Sequence, residues 1–176
     1  MLQNILEVIT IKIDARYLTR AAMIAAVYAS LTLLLTPISF GFTGAVQFRV
    51  AEALTVLPLV IAEAVPGLAI GCLVANLLAG ASIFDVVFGS LATLLAAMTT
   101  RALRSRPIAA LAAPAVFNAL IIGPVVYFCY LMGTAPLSVP MLLMSCFSVA
   151  VGEVAVVYSM GAIVYRAMGR IILRSR

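Results

Sequence analysis

The chain has 176 residues, 65% of them hydrophobic and only 10% charged, with a mean hydropathy of +1.24. A soluble domain carries about 25% charged and about 45–50% apolar residues, so this composition excludes a water-soluble fold and implies an integral membrane protein without a soluble catalytic domain. The net charge of +5 does not point to nucleic acid, because the basic residues lie at the ends of apolar runs, where they orient a chain in a bilayer.

Residues 1–17 set Leu2, Ile5, Leu6, Ile9, Ile13 and Tyr17 at helical spacing with Glu7, Lys12, Asp14 and Arg16 between them. That pattern predicts an amphipathic helix at the inner membrane surface, and it lacks the early charge and clean apolar core of a signal peptide. The remainder, 18–176, reads as a single transmembrane domain. A first helix is expected over 21–35, then a loop over 37–44. A second helix over 46–64 is expected to kink at Pro58. Pro66 opens a third helix that ends near residue 79, about 20 Å long and short for a crossing. The fourth starts at Phe84 or Asp85 and stops before the basic turn Arg101, Arg104, Arg106, Pro107. Gly133 to Pro140 splits the remaining apolar run into helices over 108–131 and 140–168, and Arg166, Arg170 and Arg174 line one face of the tail.

The result is an all-α membrane protein with six transmembrane helices and both termini on one side. Ten of the eleven basic residues fall on that side and Arg49 alone on the other. Basic residues accumulate in the cytoplasm, which places this chain in the cell membrane with cytoplasmic termini and leaves Arg49 needing another explanation.

In this topology Gln47, Arg49 and Glu52 stand at the outer end of helix 2, Asn76 near the outer end of helix 3, and Asp85 at the start of helix 4. Asn118 lies about 16 Å into helix 5 and Glu153 about 20 Å into helix 6, both near mid-depth. Ionisable groups inside a span are costly and tend to mark function, so these residues are candidates for a common cavity opening outward. Local alternatives stand beside that reading. Arg49 and Glu52, three residues apart on a helix face, can form an internal salt bridge. Asp85 can be held by a helix N-terminus, and Asn76 and Asn118 can be interhelical hydrogen-bond donors. Glu153 is hardest to explain structurally, having no basic residue near it in sequence. Phe40, Phe42, Phe48, Phe84, Phe88 and Tyr127 are interface anchors or a stacking surface for a planar ligand. Ala21, Ala25 and Ala29, with Ala22 and Ala26, bring small residues to helix 1 at a spacing of four, suited to close packing within the chain or to docking of another membrane subunit.

Histidine is absent and Cys72, Cys129 and Cys146 are scattered, which excludes His-based metal sites and a closely spaced Cys cluster. The lone lysine, Lys12, follows no glycine-rich run, so no phosphate-binding loop for ATP is present. No nucleophile–base pair is visible, an enzyme is the weakest reading, and no cofactor is implied.

The runs VQFRVAEALTVLP (46–58), EAVPGLAIGCLVANLLAG (63–80) and FDVVFGSLATLLAA (84–97) closely resemble the QueT family of queuosine-precursor transporters, which look like S components of energy-coupling factor (ECF) transporters. The likeness extends from helix 1 to helix 6. It implies a six-helix substrate-binding bundle that captures a vitamin-like molecule from outside. Through an alanine-rich face, here Ala21, Ala22, Ala25, Ala26 and Ala29, such a bundle associates with a coupling subunit and two ATPases, and it topples to release substrate inward. The implied substrate is a 7-deazaguanine, either the 7-cyano or the 7-aminomethyl base, or queuine. Glu153 or Asp85 would take its guanine edge, Asn76, Gln47 and Asn118 would position it, Phe88 and Tyr127 would flank it, and Arg49–Glu52 would organise a lid. Two rival readings stand beside this one: a stand-alone secondary transporter with Glu153 as proton relay, although no internal repeat is visible, and an assembly subunit that binds no small molecule.

Overall fold

The computed structural model describes residues 14–39, 48–131 and 138–174, and all regular structure among them is helical. Helix α1 runs Ala15–Leu34, started by Asp14, whose carboxylate accepts from the Tyr17 backbone N–H at 2.8 Å. The expected surface helix over 1–17 therefore ends differently: Arg16 and Tyr17 belong to the first turn of α1, and residues 1–13 lie outside the described residues. A short turn, α2, spans Thr36–Ser39.

The segment expected as a kinked α-helix is instead a ten-residue 3-10 helix, Val50–Leu59. Runs beyond three or four residues of this geometry are uncommon and often accompany strain or a hinge. Two local chemistries favour it. Pro58 supplies no N–H for an α-helical bond, and the Thr55 hydroxyl donates to the Glu52 carbonyl at 2.6 Å. At about 2.0 Å per residue the tighter coil also covers more depth than an α-helix of the same length.

Helix α3 spans Ala64–Leu78, with Pro66 in its first turn, and the chain turns at Gly80, whose φ of +67° suits a residue without Cβ. A π turn, Asp85–Gly89, leads into α4, Ser90–Ala102. After Arg106 come α5, Pro107–Ala110, and α6, Ala112–Val126, which passes into a second π turn, Tyr127–Leu131. Helix α7, Val139–Val156, capped by Ser138, continues through a third π turn, Val157–Gly161, into α8, Ala162–Arg174. Such π turns concentrate at functional sites.

Among the described residues, three helices are long and apolar enough to cross a membrane: Ala15–Leu34, Pro107–Cys129 and Val139–Met168. Val50–Leu59 and Ala64–Leu78 are apolar but shorter. The surface agrees with a lipid environment. Leu34, Ile108, Leu120, Leu143, Phe147 and Ile163 are all exposed, far beyond the apolar patches that a soluble monomer leaves in water.

Small residues set the closest helix contact. A Cβ on Gly67 would stand 2.7 Å from the Ala21 carbonyl oxygen, and one on Gly71 would stand 2.8 Å from Tyr28 Cβ and 2.9 Å from the Ala25 carbonyl oxygen. Ala21, Ala25 and Ala29 are accordingly buried against the rest of the chain, while Ala22 and Ala26 remain exposed. Of the two readings of the alanine face, Ala21, Ala25 and Ala29 take the first and pack inside the molecule, with the glycines of α3 opposite Ala21 and Ala25.

Candidate functional site: a buried polar cluster

In lipid, a polar side chain can avoid hydrocarbon only by meeting another polar group or a ligand. Here Arg49, Glu52, Asn76, Asp85, Thr93, Asn118 and Glu153 are all buried, none more than 5% exposed. They come from the 3-10 helix and its leading residue, from α3, α4, α6 and α7, and from the first π turn.

Arg49 pairs across elements with Asp85, guanidinium to carboxylate at 3.8 Å. Asn76, one turn along α3 from Cys72, donates to the Asp85 backbone carbonyl at 2.9 Å and approaches the Cys72 sulfur at 3.5 Å. That carbonyl lies in the π turn, and Gly89 makes the approach possible. A Cβ there would meet Asn76 Nδ2 at 2.9 Å, with Arg49 Nη1 at 3.7 Å.

Glu52 is bound from two other helices. The Tyr28 hydroxyl of α1 donates to Glu52 Oε1 at 2.5 Å, and the Thr93 hydroxyl of α4 reaches the same oxygen at 3.5 Å. On the far pair of helices Asn118 Nδ2 donates to Glu153 Oε1 at 2.8 Å. The 3-10 helix packs on α7 and its following π turn, and α4 packs on α6, so the three groups of contacts belong to one buried region.

Not every acceptor in the cluster is used. Glu52 Oε2, Asn118 Oδ1 and Glu153 Oε2 are buried acceptors without a hydrogen-bond partner among the described residues. Leaving a buried polar atom unsatisfied costs about 1–3 kcal/mol, and more when it is charged. A region with spare acceptors is suited to a ligand that brings donors.

The sequence-derived candidates separate into three groups. Asn76, Asp85, Arg49, Glu52, Asn118 and Glu153 meet in the buried cluster, with Arg49 and Glu52 at the start of the 3-10 helix. Phe88 does not join them. It stacks on Phe84, centroids 6.3 Å apart, in an apolar groove of about 640 Å³ that Leu91, Leu120 and Phe128 also line. Tyr127 is buried, and its hydroxyl accepts from the Ser138 backbone N–H at 2.8 Å. Gln47, like Phe40 and Phe42, lies outside the described residues. Sequence reasoning missed Tyr28, Cys72, Thr93 and Gly89, each of which touches the cluster. Tyr28 carried a signal, being a phenol inside an alanine run; the others are ordinary members of apolar helices.

A family model for the QueT transporter matches residues 18–170, nearly the whole chain. The chain belongs to the QueT transporter family. No match is found among curated proteins or among solved structures. Family membership and the apolar surface together describe a membrane transport protein, with a small molecule as cargo and lipid as surroundings. For a QueT transporter the buried cluster then acquires significance, since it gathers polar side chains from separate apolar helices into one place.

Proposed function

We propose that this QueT protein is the membrane-embedded substrate-binding subunit, the S component, of an ECF-type importer for a queuosine precursor, a 7-deazaguanine base or queuine. The observation that carries the reading is the set of unsatisfied buried acceptors at Glu52 Oε2, Asn118 Oδ1 and Glu153 Oε2. A guanine-like edge presents an N1–H and an exocyclic amine side by side, and carboxylates accept from such base donors. Charge-assisted bonds of this kind are about twice as strong as neutral ones. Glu153 with Asn118 is the pair best arranged to take that edge, and Arg49, held by Asp85, supplies donors for the base's carbonyl oxygen. Six crossings and cytoplasmic termini belong to the same proposal.

Energy would come from partners, a coupling subunit and two ATPases, because this chain has no phosphate-binding loop. Of the alanine face, Ala22 and Ala26 remain exposed on α1 to such a partner. Thermal unfolding of the purified protein against deazaguanines, purines and vitamins tests the substrate. Binding to the native state raises the unfolding temperature. Stabilisation by 7-aminomethyl- or 7-cyano-deazaguanine or by queuine is expected, and a response confined to an unrelated vitamin would overturn the assignment.

The buried, incompletely bonded Glu153 carboxylate also favours a second reading, a proton-coupled carrier that works alone. Uptake into proteoliposomes containing only this chain, without ATP, would establish that reading over the first.

A further inference from the structure

We propose that the end of the bundle where α1 begins carries a binding site for the phosphate headgroup of an anionic phospholipid. Asp14, Arg16, Tyr17 and Arg20 of the start of α1, Val60 to Glu63 between the 3-10 helix and α3, and Arg101 of α4 enclose a groove of about 500 Å³. Three guanidiniums from two helices therefore face one polar hollow.

The two acids in the groove are already engaged. Asp14 accepts from the Tyr17 backbone N–H, and Glu63 accepts from Arg20 at 3.1 Å. Arg101 is fixed by donating to the Pro58 carbonyl at 3.1 Å, which sets its guanidinium at the wall of the groove. Arg16 is exposed. With the carboxylates satisfied, the lining keeps a net positive charge, and guanidiniums bind phosphate in bidentate fashion.

Depth decides between a lipid and a free anion. The groove opens at the end of Ala15–Leu34, a helix long and apolar enough to cross the bilayer, so it lies at headgroup level. Val60, Ile61 and Ala62 give it an apolar wall, and Tyr17 is a residue type enriched at that boundary. A phosphate with an attached glyceride suits a hollow that is basic on one side and apolar on the other. Basic pockets between membrane helices hold anionic headgroups in this way.

The test is native mass spectrometry and thermal unfolding of the purified full chain with phosphatidylglycerol, phosphatidylcholine or soluble glycerol 3-phosphate. Selective retention of phosphatidylglycerol is expected, with a higher unfolding temperature than in phosphatidylcholine. Arg16→Gln should weaken retention about fivefold, the effect of one basic residue near an anionic surface. Arg166→Gln, an exposed arginine outside the groove, should leave it unchanged. Because Arg101 also ties α4 to the 3-10 helix, Arg101→Gln risks misfolding, and the exposed Arg16 carries the test. Equal retention of both lipids would overturn the site. Equal loss from Arg166→Gln would replace it with diffuse surface charge, and displacement by glycerol 3-phosphate at matched concentration would make the ligand a free phosphate anion.

Discussion

Replacing Glu153 by glutamine separates binding from folding, because the two are expected to move in opposite directions. The amide is nearly isosteric with the carboxylate. Its oxygen can still accept from Asn118 Nδ2, the 2.8 Å bond of the native protein. The change falls on Oε2, a buried atom without a hydrogen-bond partner among the described residues, which becomes an NH₂. Removing an unsatisfied buried acceptor relieves a cost of about 1–3 kcal/mol, and the new amine lies on the side chain that neighbours Asn118, whose Oδ1 is also unsatisfied. Stability should therefore hold or rise, by about 2–4 °C per kcal/mol for a chain of this size. Substrate affinity should fall, because a donor edge would now face a donor. Loss of hydrogen bonds to a charged group, about 1.5–3 kcal/mol, corresponds to about ten- to a hundredfold in Kd. Calorimetric titration with a 7-deazaguanine base, paired with thermal unfolding of the same sample, reads both quantities. Unchanged affinity in a folded Glu153→Gln protein would remove Glu153 from the site and refute the argument from spare acceptors.

The same geometry fixes further outcomes. Gly71→Leu should lower the unfolding temperature sharply, since even a Cβ would stand 2.8 Å from Tyr28 Cβ and overpacking costs about 1–3 kcal/mol. Gly80→Ala meets no neighbouring atom and should lose only about 1 kcal/mol through its left-handed backbone, so the two variants compared by thermal unfolding distinguish packing from conformation. Tyr28→Phe removes the hydroxyl that donates to Glu52 and should cost about 1–3 kcal/mol; an unaltered unfolding temperature would mean that this bond contributes nothing net. Gly89→Ala should displace Asn76 from the Asp85 carbonyl, seen as weaker deazaguanine binding in a titration, with Ser90→Ala on the adjacent residue as a comparison that should bind normally.

Much of the chain's nature was legible without coordinates. Its membrane character, its helical content and the approximate ends of most helices come from local properties, because partitioning into hydrocarbon depends on each segment's own composition. Pro107 and Ser138 mark helix starts by local chemistry alone. The same locality explains why the polar candidates could be picked out from sequence: each is expensive in lipid wherever its neighbours happen to be.

Tertiary structure decided who meets whom. Glu52 bonds to Tyr28, 24 residues away, and Asn118 to Glu153, 35 residues away, and no periodicity encodes those distances. Nor could sequence say that Ala21 and Ala25 turn inward on Gly67 and Gly71, or that Phe88 faces the apolar groove instead of the polar cluster. In water an amphipathic stripe announces the buried face of a helix, whereas in lipid both faces are apolar and association rests on shape and hydrogen bonding. The bilayer thus makes a membrane helix easy to find in sequence and removes the signal that would say which side of it faces its neighbours.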